Sequence, residues 1–155
     1  MKQVYLILFL LLGYMQGAAQ PQPLELRMLQ GYHANDKLKL EKGVNYFVFS
    51  KQRDFERFFG ASHAEDKPNF DYEHVLVMLT AATREQYFLS FNPTAYKAGN
   101  YIEVYCTERK EKHKLSYVDH PIAIVAIPKY FAVTRINFYS EKKKKLLKSL
   151  NVSAR

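Results

Sequence analysis

Two short runs in the middle of the chain are apolar at every position, and they constrain the fold more than any other feature. They cover residues 75–79 and 122–127. A strand with one face in water alternates apolar and polar residues, whereas a strand covered on both faces is apolar throughout. Both runs are short and rich in β-branched residues, which favours strands over helices. They therefore predict central strands of a sheet that is covered on both sides.

Other segments predict the strands that surround this pair. Residues 24–28, 45–49, 86–92, 101–108 and 132–139 are aromatic, β-branched or alternating in character. Within 101–108, Ile102, Val104 and Cys106 share one face, which we expect to be buried. Polar or glycine-containing segments predict a turn or a loose hairpin over 31–44, a turn at 98–100 and a charged hairpin tip at 109–114.

Two helices are expected beside these strands. Phe55, Phe58 and Phe59 follow helical spacing and predict an early helix over 51–59, capped by Ser50 and ended by Gly60. A short C-terminal helix is predicted over 141–150. The fold class predicted is therefore α+β, predominantly antiparallel, as a small sandwich or a partly open barrel, with the early helix covering part of a sheet.

The N-terminus has the order of a secretory signal peptide over residues 1–19. Lys2 precedes an apolar stretch of residues 4–12, and small residues follow before Gln20. The apolar stretch is shorter than the roughly 20 residues that a membrane-spanning helix needs. We expect cleavage, a single β-rich domain over 20–139, and a periplasmic or secreted location. The one cysteine of the chain excludes a disulfide-rich module.

Positive charge is concentrated at the C-terminus. The chain has a formal net charge of +8, and residues 140–155 supply much of it, so they are interpreted as a basic tail. The tail predicts contact with an anionic surface, either membrane lipid or a cell-wall polymer, although a solvated tail is an alternative. Because the rest of the chain carries little net charge, no nucleic-acid partner is expected. The contact residues predicted are Lys142, Lys143, Lys144, Lys145 and Lys148.

No motif in the sequence predicts catalysis, a metal or a cofactor. The five histidines are scattered and have no partner at ligand spacing. Ser116, Asp119 and His120 lie within five residues of one another, which is too close along the chain for a hydrolase triad. Cys106 is predicted to be a buried hydrophobe rather than a reactive thiol. We expect a non-catalytic protein without metal or cofactor.

Tyrosines on the strands are the best candidates for surface contacts. The chain has 12 Tyr and 11 Phe but no Trp. Most of these rings are expected to pack a core or to pair across strands. Tyrosine is also enriched at protein interfaces, and Tyr87, Tyr101 and Tyr105 are the ones that we predict to bind a partner.

Several of these segments together resemble the C-terminal domain of the PrcB protease-complex subunit. The resemblance covers about residues 45–139 and rests on hydrophobic patterns with a few polar anchors. The segments that carry the resemblance are Phe47-Val48-Phe49-Ser50, Phe55-x-x-Phe58-Phe59, Asn69-Phe70-Asp71-Tyr72, Val75-Leu76-Val77 and the run from His120 to Pro128-Lys129.

The resemblance implies an exported accessory module that helps to assemble or stabilise a secreted protease. We expect such a module to bind its partner through a sheet edge, which offers unpaired amides and carbonyls to an added strand, or through a turn at residues 81–87. Members of that family commonly have a glycine-rich turn here, and this chain has none of those glycines. The partner-binding residues predicted in this segment are Thr83, Arg84, Gln86 and Tyr87.

Overall fold

The computed structural model describes residues 20–61 and 66–152. The predicted signal peptide lies outside these residues. In the described part of the chain there are twelve strands and one helix: β1 (Gln22–Glu25), β2 (Arg27–Met28), β3 (Tyr32–Ala34), β4 (Val44–Phe49), α1 (Gln52–Glu56), β5 (Phe59–Ala61), β6 (Glu73–Thr80), β7 (Thr83–Phe91), β8 (Thr94–Ala98), β9 (Tyr101–Asp119), β10 (Ile122–Pro128), β11 (Arg135–Ser140) and β12 (Leu146–Asn151).

The strands form two main sheets and one small one. The front sheet has the order β1-β8-β9-β11-β12, and β7 also pairs with β9. The central sheet has the order β2-β10-β6-β4, and β3 pairs with β5 alone. All pairs are antiparallel except β9 with β11. The prediction of a mostly antiparallel β protein is confirmed, and the sheets do not close into a barrel.

The central sheet is covered on both faces, as the apolar runs predict. Leu76 and Met78 of β6 join one core with Ile102, Val104 and Phe138 of the front sheet. The opposite face of β6 joins a second core that includes residues from α1, β5 and the loop before β6. The predicted inward face of β9 is also confirmed, since Ile102, Val104 and Cys106 are fully buried.

The early helix is shorter than predicted, and its cap is different. Helix α1 ends at Glu56, Lys51 is its N-cap, and no side chain caps it. The Ser50 hydroxyl instead lies 2.9 Å from His74 Nδ1, so it anchors β4 to β6. The chain beyond the helix pairs with β3, which places Gly60 in a strand rather than at a helix end. This pairing also replaces the loose hairpin expected over 31–44.

The predicted C-terminal helix over 141–150 is wrong, because this segment forms a turn followed by strand β12. Lysine and leucine favour helices on local grounds. Strand β11, however, offers a complete row of hydrogen-bonding groups, and β12 pairs with it in antiparallel register. Leu147 and Leu150 then pack against the core between the two main sheets. Pairing and burial therefore override local helix propensity.

A long ribbon of two strands connects the two main sheets. Strands β6 and β10 pair in the central sheet, and their continuations β7 and β9 pair in the front sheet. The register shifts twice along this ribbon, between Thr83 and Glu85 and between Glu85 and Tyr87, with the extra residues on β9. The predicted hairpin tip at 109–114 is wrong, because it lies inside β9. The turn predicted at 98–100 is confirmed, since it joins β8 to β9 and Gly99 has a φ of 58°.

The last predicted strand, over residues 132–139, begins three residues too early, since β11 covers Arg135–Ser140. None of the helices in the described residues has the length and hydropathy to cross a membrane.

Candidate binding surface

The outward side of the front sheet carries four tyrosines, which we call the tyrosine face: Tyr96, Tyr101, Tyr105 and Tyr139. Strands β9 and β11 run parallel with Tyr105 opposite Tyr139, and Tyr96 of β8 lies opposite Glu103. These residues alternate with the buried side chains of the same strands, so their own side chains point away from the core. The face therefore follows from strand alternation and from the β9–β11 register.

Tyr105 is the centre of this face. Its ring centroid lies 6.2 Å from that of Tyr96 in an edge-to-face arrangement. On the other side, the Tyr105 ring centroid lies 5.7 Å from the Tyr139 ring centroid, and the two ring planes differ by 29°. Such contacts fix ring orientation, so the face presents an ordered aromatic row. Tyr101 lies at the end of the face, opposite Ala98 and Arg135.

The hydroxyl of Tyr105 is held as a neutral donor. It donates to Glu103 Oε2 at 3.1 Å. Burial raises the pKa of Tyr105 above its ordinary value of 10, because desolvation disfavours the phenolate, and the Glu103 carboxylate raises the pKa further. The Tyr105 side chain therefore stays protonated throughout the pH range in which proteins usually bind one another.

Four lysines form the turn between β11 and β12, which we call the lysine turn: Lys142, Lys143, Lys144 and Lys145. The N–H of Ser140 donates to Lys145 O, and the N–H of Lys144 donates to Ser140 O, both at 2.8 Å. Lys144 has a φ of 51°, which is the left-handed conformation that tight turns require. All four lysines are exposed.

Glu141 anchors this turn to the front sheet. Its N–H donates to Cys106 O at 2.9 Å. Its carboxylate accepts hydrogen bonds from Thr107 Oγ1 at 2.8 Å and Asn92 Nδ2 at 3.1 Å. The hydrogen bonds from Thr107 and Asn92 lower the pKa of Glu141 below its ordinary value of 4.5, and the charge of Lys144 lowers it further. The anchor is therefore intact at neutral pH and is lost only in acid.

The lysine turn and the tyrosine face form one surface. The ammonium group of Lys144 lies 4.4 Å from the centroid of the Tyr105 ring, which is a cation–π contact. Two sets of residues that the sequence predicted separately, the tyrosines and the C-terminal lysines, are thus adjacent. Lys148 lies apart from the turn on β12, where it pairs with Phe138.

Sequence reasoning missed Tyr96, Tyr139 and Glu141. Outward positions on alternating strands were a usable signal for the two tyrosines. Tyr139 approaches Tyr105 through the pairing of β9 with β11, whose residues lie more than 30 positions apart, and no local pattern shows that pairing. Tyr96 approaches Tyr105 through the hairpin of β8 and β9.

The predicted partner-binding segment 81–87 is mostly strand rather than turn. Only residues 81 and 82 connect β6 to β7. Thr83, Arg84 and Tyr87 line a cleft at this connection, whereas Gln86 does not. None of these four residues belongs to the tyrosine face.

Cys106 is buried and chemically quiet in this structure. It has no exposed surface, and its Sγ lies 3.4 Å from Tyr139 O. Burial raises the pKa of the Cys106 thiol to about 12, with the Glu141 carboxylate as a smaller cause. Since the thiolate is the reactive form, the folded protein holds this residue in an inert state.

We therefore expect Cys106 to resist iodoacetamide at about pH 8 until the protein unfolds. Alkylation followed by mass spectrometry should be slower in the native protein than in denaturant by a factor on the order of 100 or more. Equal rates in the two conditions would show that the inward face of β9 is open to solvent.

The structure does not assemble the residues considered for catalysis. Asp119 Oδ1 accepts the backbone N–H of His120, and Ser116 is exposed on β9. No hydrogen bond links the side chains of Ser116, Asp119 and His120, all of which lie in the described part of the chain. No group of three or more potential metal ligands occurs among the described residues.

Comparison of the chain with models of protein families, with curated proteins and with solved structures gave no match. The resemblance to the PrcB C-terminal domain therefore stays a prediction.

Proposed function

We propose that the chain is an exported, non-catalytic accessory module that binds an acidic protein partner through the tyrosine face and the lysine turn. A secreted protease, or another component of its complex, is the kind of partner that the resemblance implies. The observation that carries the proposal is the contact between Lys144 and Tyr105, because it joins an ordered aromatic row to a dense positive charge.

The aromatic row suits protein recognition. Tyrosine side chains offer a large apolar area with one polar end, and they lose little conformational freedom on binding. The rings of Tyr96, Tyr105 and Tyr139 already contact one another in the free chain. A partner would therefore meet a preorganised surface, which lowers the entropic cost of association.

The lysine turn supplies charge selectivity. Only Glu141 opposes the four lysines within the turn, and its carboxylate is engaged by Thr107 and Asn92. A positive patch accelerates encounter with an acidic surface and disfavours basic ones. The turn is anchored to the same strand that carries Tyr105, so charge and aromatic surface are presented together.

The proposal is tested by capture of a partner from the envelope fraction of the native cell. The tagged protein is compared with Tyr105→Ala and with a variant that carries Lys142→Gln, Lys143→Gln and Lys145→Gln. We expect one protein to be captured in stoichiometric amount by the wild type and at least about tenfold less by each variant, as interface residues of this type allow.

A charge-matched control separates a specific site from general attraction. Lys37→Gln, Lys39→Gln and Lys112→Gln together change the net charge equally at exposed positions away from the tyrosine face. This control should capture the partner as the wild type does. If the tyrosine and lysine-turn variants capture the same protein undiminished, the proposed site is wrong.

A second candidate function is attachment to an anionic surface, either membrane lipid or a cell-wall polymer. It is favoured by the four consecutive exposed lysines of the turn and by Lys148 on the adjacent strand. Sedimentation with phosphatidylglycerol vesicles distinguishes it. Loss of sedimentation in the lysine-turn variant, with Tyr105→Ala unaffected and no protein captured, would favour the surface over the protein partner.

A further inference from the structure

A second site lies where the ribbon leaves the central sheet, and it shares no residue with the tyrosine face. It is a cleft of about 540 Å³ around the β6–β7 connection. Strands β7 and β9 and the segment before β4 contribute to its lining, so three parts of the chain meet there. The residues that matter for its chemistry are Lys42, Thr83, Arg84, Tyr87 and Lys114.

The cleft has an excess of positive charge. Lys42, Arg84 and Lys114 line it, and in the described part of the chain none of them forms an ion pair with a carboxylate. Glu85 is the acidic residue in the lining, and its Oε1 lies 2.7 Å from Lys110 Nζ. The hydrogen bond from Lys110 lowers the pKa of Glu85, and the charges of Lys110, Lys42 and Lys114 lower it further. Glu85 is therefore ionised and already paired.

Thr83 adds a hydroxyl group to the lining of the cleft. Its Oγ1 accepts the N–H of Glu85 at 3.0 Å, which leaves its own hydroxyl hydrogen able to donate. Thr80 is only 2% exposed and its Oγ1 is buried, so the hydroxyl of Thr80 is out of reach of a ligand in the cleft.

We propose that this cleft binds a small molecule carrying an anionic oxygen group, either a carboxylate or a phosphate. Lys42, Arg84 and Lys114 supply the opposite charge, and Arg84 can bind two oxygens of one group at once. The hydroxyl of Thr83 donates to a remaining oxygen. The ring of Tyr87 forms a wall for the organic part of the ligand.

The test measures binding of inorganic phosphate and of succinate to the purified protein by calorimetry and by chemical shifts, with ionic strength balanced by chloride. We expect saturable binding of at least one of the two probes. Arg84→Gln should weaken it at least about tenfold, because hydrogen bonds between charged groups are the strongest contacts available here. Phosphate binding alone assigns a phosphate-bearing ligand, and succinate binding alone assigns a carboxylate-bearing one.

Matched variants separate a built site from general attraction of anions. Lys112→Gln makes the same charge change on an exposed residue of β9 outside the cleft lining, and it should leave affinity unchanged. Thr83→Val should weaken binding several-fold, whereas Thr83→Ser retains a hydroxyl and should bind as the wild type does. The proposal is overturned if neither probe binds more than chloride, or if Arg84→Gln and Lys112→Gln bind equally.

Discussion

Replacing Phe55 with alanine should lower the free energy of unfolding by about 3–5 kcal/mol, the range found for large aromatic deletions in cores. Phe55 is 2% exposed and lies at the centre of the second core. Its ring contacts four others, with centroid distances of 4.9 Å to Phe59, 5.3 Å to Tyr32, 5.6 Å to Phe49 and 5.7 Å to Phe70. The substitution leaves a cavity that these rings cannot fill by small movements.

Alanine is the better helix former, so a loss of stability would come from packing and not from α1 itself. Denaturant unfolding followed by circular dichroism measures the effect. Phe131→Ala is the matched control, because that ring is 82% exposed and its removal should change stability by less than about 0.5 kcal/mol. Equal midpoints for the two variants would contradict the packing of α1 against the central sheet.

Replacing Lys129 with methionine should cost about 2–3 kcal/mol of stability, within the range for hydrogen bonds to charged groups. Its ammonium group donates to Ser50 O at 2.8 Å and also to Phe70 O. These carbonyls lie at the end of β4 and in the loop before β6, so one side chain joins segments that are 79 and 59 residues away. Methionine has a similar length but no donor, and both carbonyls lose this partner.

The backbone of residue 129 keeps its own contact in this variant, since its N–H donates to Tyr72 O at 2.7 Å. Any change in stability therefore reports on the side chain. Lys112→Met, at an exposed position on β9, serves as the control and should be nearly neutral. Thermal unfolding of the two variants, measured in parallel with the wild type, gives the change in stability that each substitution causes. A Lys129→Met protein as stable as the wild type would mean that the ammonium contacts contribute nothing.

The central sheet could be predicted because its signal is local. Residues 75–79 and 122–127 are apolar without interruption, and only burial on both faces accounts for that. The inward face of β9 was predictable for a similar reason, since Ile102, Val104 and Cys106 alternate with polar or tyrosine side chains. In these segments local pattern and tertiary environment agree.

The parts that were wrong depend on the pairing of one strand with another, which the residues of a single segment do not show. Charged residues at 109–114 resemble a hairpin tip, yet they continue β9 because β7 supplies a partner strand. The lysines near the C-terminus resemble a helix, yet β11 supplies the partner for β12.

The candidate binding surface has the same origin. Tyr105 could be selected as an outward-facing residue, but its contact with Lys144 exists only because β11 runs parallel to β9 and ends opposite Cys106.

One edge of β9 pairs with β8 and β7, and its second edge pairs with β11 as far as Cys106. The unpaired part of this second edge affects how copies of the protein meet in concentrated solution. Beyond Cys106 that edge pairs with no other strand among the described residues. Its unpaired N–H and C=O groups are therefore open to pairing with a strand of a neighbouring molecule. The two register shifts twist the edge out of line, and Arg109, Lys110, Lys112 and Lys114 place positive charge along it. Because both features oppose edge-to-edge pairing of strands, the irregular, charged part of β9 that was predicted as a hairpin tip protects this edge from pairing with another copy of the chain.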